Sequence, residues 1–275
     1  MTVPAAAAPA AAGLRVDVLG PVLRIRLHGR AHPDQLGVAG FTLSEALRRL
    51  TGDIRIAVVV IDAPTAAVAA ASEAPTPGPR TSTQSTPTQS TSDQPPADQP
   101  PGDQLGLDGL LGWRRALERL ASAPDLISVA ALSGWTGDVG ASLAASCDLR
   151  ILTAEAGLRL EWATRWGLLP AAGALTDLAR LTGPAVALDL SLTGRPLGAA
   201  EALRIGLAQR VVPAPRLDAE LAAVEAALLT VPPETAAEIK ALLRPRGSAT
   251  VNPSLGPELQ AWQRLLSASD DLAAG

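Results

Sequence analysis

In the stretch SGWTGDVGASLAASCD, Ser133 to Asp148, a short apolar strand runs into glycines and then into a helix of small residues. A strand-to-helix turn of this kind suits an anion, because the first amides of a helix lack intrahelical acceptors and the helix dipole is positive there. Yet Asp138 stands where the turn should be most positive. As an N-cap, its carboxylate would accept from the amides of Gly140 or Ala141, steady the helix by about 1 kcal/mol and compete with a substrate oxyanion. As a catalyst, it would instead give or take a proton; the residues alone leave both roles open. Other constellations are poorer. His28 and His32 lie four apart in a Gly/Pro-containing stretch with no third ligand in view, so no metal is expected. Ser133 and Ser142 have no evident histidine partner, which argues against a serine hydrolase.

The elements that must position this turn can be read outward from it. LRVDVLGPVLRIRL, residues 14 to 27, alternates apolar and polar around a Gly-Pro break and predicts a hairpin. GFTLSEALRRLTG predicts a helix capped by Thr42 or Ser44 and stopped at Gly52. IRIAVVVIDAP is a β-branched run of the kind buried on both faces of a parallel sheet, so a βαβ crossover is the simplest arrangement. LLGWRRALERLASA is an amphipathic helix and LISVAALSG another buried strand, which leads into the turn. Beyond it, DLRILTAEAGLRL reads as two more strands or as a strand and a turn, GALTDLARLTG and PAVALDLSLTG as helices ending at glycine, GAAEALRIG as a further helix and LAQRVVP as a short strand. The remainder is helical, with Pro233 at a helix start. These elements imply an α/β core over residues 14–210 and a helical C-terminal region over 211–275, after a disordered tail at 1–13. From Ala71 to Gln104 the chain turns to Pro, Ser, Thr and Gln, with DQPP twice. With little apolar surface to offset its ordering entropy, that segment is expected to be a disordered insert within one domain, since strands and helices of the same kind resume on either side, the alternative being a linker between two domains.

Composition excludes several functions. The chain has 275 residues, 47% of them hydrophobic, enough for a sizeable core, but its aromatic residues are five Trp and one Phe. A net charge of −4 without a basic block argues against nucleic acid. No apolar run reaches the roughly 18 to 20 residues that span a bilayer, so no membrane partner is expected. The N-terminal MTVPAAAAPAAAG has no basic flank and is broken by Pro4 and Pro9, unlike a signal peptide. The lone Cys147 cannot form an intrachain disulfide; a cytoplasmic location is expected.

AVVVID, AALSG leading into the glycine turn, AASCDLRI, GLLP followed by RLTG, and LTGRPLGAAEALRIGLAQRVV occur in this order. On these segments the chain resembles the crotonase superfamily, the enoyl-CoA hydratase/isomerase group. The resemblance implies a crotonase-like spiral of ββα units in two sheets, with C-terminal helices that pack on the core or on a neighbouring subunit. It implies an acyl-CoA thioester as substrate with no further cofactor, and a homotrimer or hexamer. The thioester oxygen would lie between two backbone N–H donors, here Ala69 and Val139, each worth on the order of 3 kcal/mol to an enolate-like transition state. Ala67, Gly140, Ser142, Trp162 and Lys240 would line the substrate, Lys240 meeting a CoA phosphate unless it lies on a solvated helix face.

The departures from the family pattern fall in this same pocket. The three-glycine turn reads Asp138-Val139-Gly140, and Ser142 stands in place of the first hydratase glutamate and cannot act as a base unaided. The second glutamate aligns with Trp162 or Ala163, beside Glu161. A shifted backbone would bring Glu161 into the pocket, where burial raises a carboxylate's pKa toward the working range; otherwise it faces solvent, Arg159 or Arg165. The loop bearing Ala67 and Ala69 reads AAVAAAS and runs into the insert. Catalysis is therefore expected to rest on Glu161 or Asp138 and to be isomerase-like, two-glutamate hydration being disfavoured. The rival expectation is a pseudoenzyme that keeps the fold for hetero-assembly with an active homologue or another partner.

Overall fold

The computed structural model describes residues 13–28, 33–50, 52–62, 106–243 and 260–263. The N-terminal tail up to residue 12, the insert at 71–104, and Ala67 and Ala69 lie outside the described residues.

Strands β1 (Leu14–Leu19) and β2 (Val22–His28) form the expected antiparallel hairpin, in register from Leu14 opposite Leu27 to Leu19 opposite Val22. Its turn needs a left-handed residue, and Gly20 supplies φ +59° without a Cβ penalty. Helix α1 (Leu36–Arg48) then carries the chain to β3 (Ile56–Asp62), which pairs parallel with β2, so the βαβ crossover holds. Its boundaries differ from the sequence reading. The helix starts at Leu36 after Gln35, because Leu36, Ala39, Gly40 and Leu43 already bury one face. Thr42 and Ser44 therefore lie inside it, and the Thr42 hydroxyl donates back to the Val38 carbonyl (2.9 Å) instead of capping. The helix also ends at Arg48, ahead of Gly52.

Helix α2 (Leu107–Ser122) leads to β4 (Ile127–Leu132) and the two-residue β5 (Trp135–Thr136). Then follow α3 (Asp138–Ser146), β6 (Leu149–Thr153), β7 (Gly157–Leu158) and α4 (Trp162–Trp166). Helices α5 (Ala174–Thr182) and α6 (Pro184–Thr193) each stop at a glycine with positive φ, Gly183 at +88° and Gly194 at +61°. The rest is β8 (Leu197–Gly198), α7 (Ala199–Arg204), β9 (Arg210–Val212), α8 (Leu217–Thr230) and α9 (Pro233–Leu243), the last with Pro233 in its first position as expected. One sheet runs β1-β2-β3-β4-β6-β9, parallel from β2 onward; the other is β5-β7-β8.

Side chains alternate across the large sheet because the strand repeat is two residues. Ala57, Val59, Ile61, Ala130 and Leu132 join α1, α2 and α3 in the main core. Val58, Val129, Ala131 and Ile151 face the other way, against Leu217, Leu221 and Val224 of α8. That two-sided burial is why β3 and β4 read as continuous apolar runs. Helices α1 and α2 meet at their backbones: a Cβ on Gly40 would stand 2.6 Å from the Trp113 nitrogen.

Candidate active site

The turn between β5 and α3 carries Asp138, Val139, Gly140 and Ser142 and lies against the backbone of Glu161 and Trp162. Gly137, in extended backbone, caps α3, and its carbonyl receives the first helical bond, from Ala141 N–H at 2.9 Å. Asp138 is thus the first helical residue and not the N-cap, which corrects one of the two roles open on sequence. A helical Cβ tilts toward the N-terminus, so this carboxylate points back across the turn and not onto Gly140 or Ala141. Its Oδ2 accepts from the Glu161 N–H (2.9 Å). Its Oδ1 is buried with no hydrogen-bond partner, and the residue is 2% exposed. Burial pushes its carboxyl up to about 7, against the pull of the Glu161, Asp138 and Trp162 backbone N–H groups and with a small push from the Glu161 charge.

Val139 and Gly140 are buried in the same first turn, so neither amide has an intrahelical acceptor. Only glycine fits at 140, where a Cβ would lie 1.8 Å from Thr136 Oγ1. Ser142, also buried, accepts from the Trp113 indole N–H (3.0 Å) and donates to the Val139 carbonyl (2.7 Å), so its hydroxyl is engaged on both sides.

Glu161 immediately precedes α4, with its side chain 15% exposed between Arg159 (3.5 Å) and Arg165 (3.4 Å). This is the arginine-facing arrangement of the two weighed from sequence; what reaches Asp138 is the Glu161 amide. Trp162 is buried, its ring 6.1 Å from both the Trp166 and the Trp262 rings, edge-on to the latter. Trp262 is itself fully buried, with its indole nitrogen lacking a partner.

Lys240 departs from both of its expected places. It is buried, donating to the Leu126 carbonyl (2.6 Å) and to Asp148 Oδ2 (2.8 Å), because α9 lies over the start of β4 with that side chain turned inward. A phosphate would have to displace that ion pair. His28, 54% exposed in its side chain, lies 3.8 Å from Asp62, and the Ser133 hydroxyl donates to Asp62 (2.5 Å), a row across the ends of three adjacent strands. His32 is outside the described residues, among which no group of three or more possible metal ligands occurs. No helix among them is long and apolar enough to cross a membrane.

Sequence reasoning missed Trp113 as the partner of Ser142, Trp262 as the neighbour of Trp162 and Asp62 as the partner of Ser133. Trp113 showed only as part of an apolar face, with nothing to reveal where its N–H points. Trp262 belongs to no periodic segment, and Asp62 closes a buried strand.

Comparison with known proteins bears on this geometry. A sequence model of the enoyl-CoA hydratase/isomerase family matches residues 113–270. Mouse enoyl-CoA hydratase domain-containing protein 2, mitochondrial, is 39% identical over 99 residues, 36% of this chain and 33% of that protein. The chain thus spans about a third of the length of such sequence relatives. Among solved structures, a protein of Thermobifida fusca YX described as an enoyl-CoA hydratase, in complex with CoA, is 28% identical with a TM-score of 0.64, over 97% of this chain and 96% of that one. An enoyl-CoA hydratase from Mycobacterium avium subsp. paratuberculosis K-10, 23% identical, shares the fold with a TM-score of 0.68 over 96% of this chain and 95% of that one.

Proposed function

The chain belongs to the enoyl-CoA hydratase/isomerase family and has the crotonase fold, and on that premise we propose that it binds an acyl-CoA thioester and moves a proton on it through an enolate-type intermediate. The thioester oxygen rests against the Val139 N–H, with Ala69 as the expected second donor, and Asp138 is the acid/base group. The thioester is the substrate and no further cofactor is needed. The observation that carries this reading is the Asp138 carboxyl itself: buried at the first turn of α3, with one oxygen unpartnered and a pKa of about 7, it can exchange a proton near neutrality. The CoA bound by the Thermobifida fusca relative supports the ligand class. Of the two carboxylates expected from sequence, Asp138 is the better choice, because Glu161 is paired to two arginines. One carboxyl suits a 1,3-proton shift of an enoyl-CoA better than hydration, which needs water activated by a second group.

The engagement of Ser142 with Trp113 and Val139, where hydratases place a glutamate, favours a second reading. The fold would then serve assembly with an active homologue; the homotrimer or hexamer expected of the family would be the alternative self-assembly. A panel of 2-enoyl- and 3-enoyl-CoA substrates separates the two. We expect isomerisation by the wild type and a loss of at least about 100-fold in kcat in Asp138→Asn, within the range for a general acid/base. Equal turnover by both proteins would remove Asp138 from catalysis, and no acyl-CoA binding by the wild type would leave the assembly reading.

A further inference from the structure

The Val139 carbonyl, which accepts the Ser142 hydroxyl at 2.7 Å, belongs to the same peptide unit as the Gly140 N–H. A hydrogen bond to a peptide oxygen fixes the plane of that peptide and strengthens its N–H as a donor. The hydroxyl is in turn held by the Trp113 indole N–H at 3.0 Å. Both side chains are fully buried, so no water competes for these bonds. Trp113 is itself anchored where α1 and α2 touch, its backbone lying against Gly40. The chain of contacts therefore runs from the α1–α2 pair through indole and hydroxyl to one peptide of the turn. Asp138, whose Oδ1 is buried without a partner, opens the same turn of α3.

We propose that Trp113 and Ser142 are a positioning pair that orients and polarises the Val139–Gly140 peptide, making the Gly140 N–H a further donor to the thioester oxygen. The proposal rests on the acyl-CoA reading for its ligand but not for its geometry. It also accounts for the missing glutamate: position 142 now holds the turn in place and does not touch the reacting atoms.

The Gly140 amide signal in NMR spectra of the ligand-free protein tests the geometry without turnover. Ser142→Ala should move that proton upfield and speed its exchange with solvent, Trp113→Phe should do the same to a smaller degree, and Ser142→Thr, which keeps the hydroxyl, should restore the wild-type signal. Because the two groups act in series, the double variant should match Ser142→Ala. With acyl-CoA bound, both single variants should weaken the red shift of the thioester C=O stretch with KM unchanged, Ser142→Ala lowering kcat by about five- to tenfold, the size of one net hydrogen bond, and Trp113→Phe by less. A Gly140 amide unmoved in Ser142→Ala, or effects of the two substitutions that simply add, would overturn the pair. A wild type that fails to bind acyl-CoA would instead sink the proposed function, while the amide signal still decides the pair.

Discussion

A carboxyl that is 2% exposed, with one oxygen lacking any donor, is costly to ionise, and Asp138 keeps its proton up to about pH 7 for that reason. Between the ordinary aspartate value of 3.8 and about 7, the folded protein holds a proton that the unfolded chain has released. Wild-type stability therefore falls as pH rises through that window and is flat above it. Asp138→Asn has no proton to lose there, so its stability relative to wild type should rise by up to about 4 kcal/mol between pH 4 and pH 8. Urea unfolding of both proteins across that range measures this, and parallel curves would mean that Asp138 is not held protonated by the fold. The aspartate was visible in the sequence as the odd residue of a glycine turn. Its burial was not, because the lid over it is Glu161 and Trp162, contributed by a segment more than twenty positions along the chain.

At the scale of elements, the α1–α2 contact fixes where Trp113 stands. A methyl group on Gly40 would come within 2.6 Å of the Trp113 nitrogen and 2.7 Å of the Gly112 carbonyl carbon, both main-chain atoms that cannot rotate away. Gly40→Ala should force the helices apart and cost about 1 to 3 kcal/mol. Gly112→Ala, one position before Trp113, meets nothing within 4 Å and should be neutral or stabilising by up to about 1 kcal/mol, since alanine is the better helix former. Thermal unfolding of the two variants gives the comparison; equal losses in both would mean that close approach is not what Gly40 provides. The existence of α1 was legible from its apolar spacing, but its start was not. The Thr42 and Ser44 capping signals competed with a buried face that begins six residues earlier, and burial won.

For the whole molecule, the helical C-terminal region is tied to the sheet in two ways. Leu217, Leu221 and Val224 of α8 cover the outer face of the parallel strands, and Lys240 of α9 pairs with Asp148 beneath it. Lys240→Ala would leave Asp148 short of its cation and the Leu126 carbonyl short of a donor, costing about 2 to 3 kcal/mol after allowance for the partial exposure of Asp148. Denaturant unfolding should show that loss, while acyl-CoA affinity of the folded protein, read by calorimetry, stays at the wild-type value; a large drop in affinity would restore the phosphate role for this lysine. The sequence by itself determined the order of the longer strands and helices, though not the short β5, β8 and α4, together with the parallel sheet buried on both faces, the glycine turn that opens α3 and the absence of a glutamate at position 142. Those properties follow from periodicity, turn chemistry and residue type, which are local. Only the tertiary structure decided that Asp138 is sealed from water, that Glu161 is held by arginines, that Ser142 is gripped by Trp113 and that Lys240 points inward. Each of these depends on a partner distant along the chain, and the direction of a side chain is set by what packs against it.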